Sequence, residues 1–241
     1  MNAVKIAMWS GPRNISTALM RSFENREDTF VTDEPFYAHY LQHTNVDHPM
    51  REEVIMSGNP NWDKVAEHLT GVIPNGKSVW YQKHMVHHVV DAGDLDWITG
   101  FRNCFLVRHP AEVINSYSRQ NPIREIRDLG FIQQVELFNM IMEITEAVPI
   151  VVDSKDILTN PDKYLQLLCD RLGIVYSKQM LAWPAGSRDT DGVWAPFWYQ
   201  NVEKSTGFIA YRKKNEPVPA EYRNILGQCM PCYEYLSRFK L

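Results

Sequence analysis

The segment Ser10-Gly11-Pro12-Arg13-Asn14-Ile15-Ser16-Thr17 places a turn-forming Gly-Pro pair, one cation and two hydroxyls directly after the apolar run Val4 to Met8. A strand, a loop of this kind and then a helix point several backbone N–H groups and a helix N-terminus at one spot, which is a geometry that holds a phosphate-type anion. A Walker A loop would end in Gly-Lys-Ser/Thr, whereas the corresponding triplet is Ile15-Ser16-Thr17 and the cation comes earlier, at Arg13. A P-loop small-molecule kinase using ATP and Mg²⁺ would thus lack its phosphate lysine, yet it stays open as the alternative occupant of the same strand, loop and helix. The plainer reading is a tight turn with Arg13 as a solvated charge.

Other residue types that do chemistry are less tightly organised. His84, His87 and His88 lie at i, i+3 and i+4, but no carboxylate accompanies them at metal-site spacing. No metal is expected; acceptor contact or core packing is the expected role. Cys229 and Cys232 have no second Cys/His pair beside them and read as two ordinary thiols near the last helix. The aromatic run Trp194, Phe197, Trp198 and Tyr199 would either wall a ligand pocket or sit in the core, with the core slightly favoured.

Positioning such a loop needs a sheet behind it. The 241 residues, 44% hydrophobic and 22% charged, suffice for one α/β domain with a sizeable core. Val4 to Met8, Thr29 to Thr32, Ser78 to Gln82, Asn103 to Val107 and Pro149 to Val152 are short apolar runs bounded by turns, and they read as buried strands. Helical spacing follows Ser16, spans about Trp62 to Thr70, Ala111 to Gln120 behind Pro110, and Leu129 to Ala147, and starts again at Asn160-Pro161 to end at Gly173. A last helix is expected over Pro219 to Phe239, interrupted at Pro231. The alternation of strand and helix predicts a central parallel sheet flanked by helices, a three-layer α/β fold. A net charge of −4 does not suit a dedicated nucleic-acid binder, and no apolar stretch approaches the ~20 residues that span a bilayer. The expectation is a cytoplasmic protein without nucleic-acid or membrane partners.

At the loop, Pro12-Arg13-Asn14-Ile15-Ser16-Thr17 resembles the Pro-Lys/Arg-Ser-Gly-Thr-Thr loop of the sulfotransferases that use 3′-phosphoadenosine-5′-phosphosulfate (PAPS), matching at Pro12, Arg13, Ser16 and Thr17. Asn14 stands where the family has serine and Ile15 where it has glycine. The wording Trp-Ser-Gly-Pro-Arg-Asn-Ile-Ser-Thr-Ala is similar to a bacterial branch of sulfotransferase-like proteins. A second motif agrees: Arg108 at a strand end and Ser116 eight residues later reproduce the family's pair for the 3′-phosphate. Pro149 to Leu158 and Leu172-Gly173 resemble a further strand and helix ending, so the likeness covers roughly residues 4–36, 78–120 and 149–174.

This resemblance implies a P-loop-like fold in a single domain over 1–241, with residues 39–77 and 175–217 covering substrate and nucleotide. It implies transfer of a sulfuryl group from PAPS, leaving PAP, to a hydroxyl or amine of a small-molecule acceptor without a metal. Nucleotide contacts would come from Gly11, Pro12, Arg13, Asn14, Ile15, Ser16, Thr17, Arg108 and Ser116, and from Ser205, Lys213 and Lys214 in a closing segment. Arg13 would stabilise the leaving phosphate, and Lys83 would be a second catalytic cation. The base is either Glu34, whose pKa burial at a sheet edge would raise, or a histidine, His84 or His87, shortly after Lys83. A protein that binds PAP or PAPS without turnover also fits. Neither the acceptor nor the oligomeric state is legible.

Overall fold

In the computed structural model, which describes residues 3–44, 46–90, 92–213 and 216–241, five strands form one sheet. The first unit is β1 (Val4–Ser10), α1 (Ser16–Glu24) and β2 (Thr29–Asp33), followed by α2 (Tyr37–His43), α3 (Arg51–Ser57) and α4 (Trp62–Thr70). Then come β3 (Val79–Met85), β4 (Arg102–Val107), α5 (Pro110–Tyr117) and α6 (Phe131–Thr145). The chain continues through β5 (Ile150–Asp153), α7 (Ser154–Thr159) and α8 (Pro161–Leu172), two short helices α9 (Ala195–Trp198) and α10 (Gln200–Glu203), and α11 (Arg223–Ser237).

The order is β2-β3-β1-β4-β5, and every pairing is parallel. Strands buried on both faces need apolar residues in both phases, and the two phases divide cleanly. Trp9, Trp80 and Phe105 pack with Leu69 of α4, Phe138 of α6 and Leu236 of α11 on one face. Met8, Tyr81 and Leu106 pack with Leu19 and Phe23 of α1 and Leu165 and Leu168 of α8 on the other. The result is the helix–sheet–helix layering expected from the sequence.

Since β1 is central, the chain leaves it toward β2 on one side and reaches β4 on the other. This is the switch point of a parallel sheet, where a crevice opens beyond the strands' carboxyl ends. The Ser10–Thr17 loop lies there.

Three boundaries differ instructively. The strand read as Ser78 to Gln82 runs on through Lys83 and His84 to Met85, because pairing with β1 extends to Ser10↔Met85. The helix read from Leu129 starts at Phe131 because Gly130 turns the chain at φ 76. Pro231 does not break the last helix, which is continuous over Arg223–Ser237.

Candidate functional site

The loop after β1 is held by its carbonyls. Arg108 Nη1 donates to Arg13 O at 2.7 Å, and Ser154 Oγ lies 3.0 Å from Asn14 O. The Asn14 amide reaches across to Leu106 O at 3.0 Å. With those oxygens turned into the protein, the N–H groups turn outward, and from Arg13 to Ala18 none has a partner among the described residues. Arg13 and Ile15 both have left-handed backbones, φ 63 and φ 60. Alternating left-handed residues curl successive N–H groups into an anion-binding nest. For a β-branched residue such as Ile15 that conformation costs about 1–2 kcal/mol, which gives the physical reason a glycine suits this position. Gly11 serves packing: a Cβ there would lie 2.8 Å from Leu129 O, and the residue does not line the cavity described next.

A cavity of about 1280 Å³ opens over the loop and is lined by residues from Pro12 to Ala18 together with Glu34, Lys83, Arg108 and Ser116. At one end, Arg13 Nε donates to Ser116 Oγ at 2.9 Å, so the loop after β1 and the helix after β4 meet. Burial, then the nearby charges of Arg108 and Arg119, lower the Arg13 pKa. Arg108 is paired with Glu112 at 2.9 Å and Arg119 with Glu216 at 2.6 Å; Arg13 has no carboxylate partner among the described residues. A cation repelled by its neighbours gains from a bound anion.

The closing segment contributes differently from expectation. Ser205 lines the cavity, but its hydroxyl is engaged locally, donating to Val202 O at 2.6 Å and accepting from Trp183 Nε1 at 3.1 Å. Lys213 is exposed and does not line the cavity; Arg212 does. Lys214 lies outside the described residues.

Near the carboxyl ends of β2 and β3 is a buried ionic cluster. Asp33 and Lys83 face each other in the strand register. Lys83 Nζ donates to Asp33 Oδ1 at 2.9 Å, Glu34 Oε1 at 2.5 Å and Tyr199 Oη at 2.7 Å. The Lys83 side chain is 1% exposed and that of Glu34 is 11% exposed. Burial works against the ammonium, but the two carboxylates outweigh it and hold the Lys83 pKa well above its usual value. Burial raises the Glu34 pKa, Lys83 pulls it down and Asp33 pushes it up, with a net rise. A lysine whose three donors are all taken is a holder of carboxylates, not a free cation for a substrate.

His84 is not part of this site. Side chains alternate along a strand, so with β3 extending to Met85, Lys83 faces the cavity and His84 the opposite core. There it stacks on Trp9 at 4.4 Å and lies near Phe36 and Trp97. Burial lowers its pKa to about 3. His87 lines the cavity with Nε2 donating to Arg127 O at 2.8 Å, and His88 Nε2 lies 3.8 Å from Glu34 Oε2. Among the described residues no group of three or more His, Cys, Asp or Glu is arranged to hold a metal ion.

The depressed histidine fixes a pH effect. Its folded pKa lies below the unfolded value, so the unfolded chain takes up the proton first and stability falls as pH drops below ~6.5, by up to about 1.4 kcal/mol per unit. His87 and His88 are lowered as well and act in the same sense, while the raised Glu34 opposes them. Urea unfolding at pH 7.5 and pH 5 should show the loss. In His84→Phe the loss should be smaller by His84's share.

Two residues escaped the sequence. Arg119 is three positions beyond Ser116, in the turn that follows α5. Asp33 carries no motif and joins the cluster only through strand pairing. Of the aromatic run, Trp198 and Tyr199 line the cavity, Trp194 is buried and Phe197 is 51% exposed.

A family model described as a sulfotransferase domain matches residues 4–238. Two curated relatives from Arabidopsis thaliana, the branched-chain-amino-acid aminotransferase-like proteins 2 and 1, are 32% and 33% identical over 231 and 232 residues. The matched stretch is 96% of this chain but 41% of each relative, so the chain spans under half their length. Among solved structures, the sulfotransferase from Alicyclobacillus acidocaldarius superposes with a TM-score of 0.54 at 11% identity, covering 100% of this chain and 98% of that one. At that identity the likeness concerns the fold.

Proposed function

The chain belongs to the sulfotransferase-domain family, and from that premise we propose that it moves a sulfuryl group from PAPS to a hydroxyl of a small-molecule acceptor, with Glu34 as the base. The observation that carries this reading is one cavity lined both by a loop whose N–H groups have no partner among the described residues, with Arg13, Arg108 and Ser116, and by the buried Glu34 carboxylate of raised proton affinity.

PAPS supplies an activated sulfuryl group on a phosphate that is a good leaving group. The residues do the rest. The nest and the hydroxyls of Ser16 and Thr17 hold the phosphosulfate, and Arg108 with Ser116 holds the 3′-phosphate. Arg13 neutralises charge that grows on the bridging oxygen as the S–O bond to phosphate breaks. Glu34 takes the acceptor's proton as the new O–S bond forms. Lys83 keeps the Glu34 carboxylate in place.

Residues Tyr37, Tyr40, His48 and Trp198 beyond Glu34 wall the acceptor side with rings. Such walls exclude water and orient a flat or apolar alcohol.

The reading is tested by melting. PAP at about 100 times its Kd should stabilise the chain by about 2.7 kcal/mol in the absence of Mg²⁺, and Arg108→Ala should remove most of the shift. Stabilisation by ATP–Mg²⁺ with no response to PAP would favour the kinase reading instead.

A further inference from the structure

Tyr199 stands in the sequence 116 residues after Lys83, in α9's wake, yet its hydroxyl sits inside the Asp33–Lys83–Glu34 cluster. It accepts from Lys83 at 2.7 Å and from Trp194 Nε1 at 3.1 Å, and it donates to Asp33 Oδ2 at 2.7 Å. Every hydrogen-bonding site of the phenol is therefore used.

The segment that carries Tyr199 is pinned on both sides of the cavity. Asp191 pairs with the buried Arg21 of α1 at 2.6 Å, and Gly192 N–H reaches Asp33 Oδ2 at 3.4 Å. Further on, Gly207, Phe208 and Tyr211 line the same cavity, and Tyr211 Oη donates at 2.8 Å to Glu112, the partner of Arg108. One stretch of chain thus touches both the nucleotide side and the ionic cluster.

We infer that Tyr199 is a positioning residue: its hydroxyl sets how the Lys83 ammonium is shared between Asp33 and Glu34, and so fixes the carboxylate that faces the acceptor. This rests on the reading of Glu34 as the base. The physical argument is a competition. Three acceptors divide three N–H donors, and Tyr199 also quiets Asp33 by donating to it. Without the hydroxyl, Asp33 loses a donor and draws Lys83 toward itself. The N–H that the phenol no longer takes goes to Asp33, so Glu34 faces a stronger negative neighbour with no added hold from the cation, and its proton affinity rises.

The other groups facing Glu34 are His88 from the turn after β3 and Tyr37 from α2, which stack on each other at 4.6 Å. Neither touches Tyr199 by hydrogen bond among the described residues, so their effect is common to wild type and variant.

The test uses the full chain saturated with PAP and labelled with ¹³C-glutamate, the Glu34 carboxyl being assigned by its absence in Glu34→Gln. In wild type it should titrate above the ordinary glutamate range. In Tyr199→Phe the midpoint should rise by about 0.5 unit or more. A midpoint within about 0.2 unit of wild type overturns the inference. Should Tyr199→Phe fail to fold, Trp194→Phe, which keeps the hydroxyl but removes one donor to it, is the second variant: a midpoint shifted by more than about 0.2 unit is expected, and a smaller shift overturns the inference. An ordinary wild-type midpoint would sink the assignment of the base, and failure of PAP to stabilise the chain would sink the donor assignment, so each failure is separately visible.

Discussion

Glu34→Gln should lower kcat for sulfuryl transfer by about 10²–10⁴-fold, the range that a positioned general base contributes. The substitution keeps the side chain's size and one oxygen but removes the ability to take a proton. PAP binding should persist in this variant, because the nest, Arg108 and Ser116 follow β1 and β4, across β3 from the strand that Glu34 follows. Initial rates of PAP release with a panel of small alcohols, together with the PAP-induced melting shift, separate the two effects. The pH profile adds a sign. Glu34 must be ionised to act, and its pKa is raised, so the wild-type rate should fall as pH drops through that raised value. The rate remaining in Glu34→Gln should lack this acid limb. A variant that keeps a third or more of wild-type kcat would remove Glu34 from the mechanism.

Lys83→Met should be the most destabilising of these substitutions. The ammonium is buried and is shared by two carboxylates. Removing it leaves Asp33 and Glu34 side by side in the interior, and breaking such a buried pair costs about 3–5 kcal/mol. The loss should be smaller at low pH, where the stranded carboxylates take up protons in the folded state. The second change Asp33→Asn should restore part of the stability lost, since one unpaired charge is then gone. Urea midpoints of the single and double variants at pH 7.5 and pH 5 measure all of this. A Lys83→Met protein as stable as wild type at neutral pH would mean that the ions are better solvated than the packing indicates.

Much of the fold was legible because its signals are local. Apolar runs of strand length alternate with helical spacing, and parallel strands buried on both faces read as continuous apolar segments. The loop after β1 was legible because strand, Gly-Pro turn and helix start follow one another directly. Arg108 and Ser116 were legible for a similar reason, each having a fixed offset from one strand end. His84 shows where such reading stops. One strand drawn three residues too short left its side-chain direction open, and the period of two then placed it in the aromatic core beside Trp9 instead of the cavity.

Lys83 shows a second limit. A lysine at a strand end beside an anion loop reads as a free cation, and nothing in its neighbours announces that three acceptors will consume its donors. Two of those acceptors, Asp33 and Glu34, come from the end of another strand, and the third, Tyr199, from beyond α8.

Local signals in the sequence suffice for the sheet-and-helix alternation, for a turn over Ser10 to Thr17 between β1 and α1, and for Arg108 and Ser116 on either side of one strand-to-helix step, because each is written within one turn, one strand or one such step. The folded chain brings Arg13 to Ser116, puts His84 in the core, and sets Glu34 against Lys83 with Tyr199 at the same ammonium. Those facts depend on which strands pair, in what register, and on where a distant segment folds back. Burial decides the rest, since whether a carboxylate is a surface charge or a candidate base depends on the atoms packed around it.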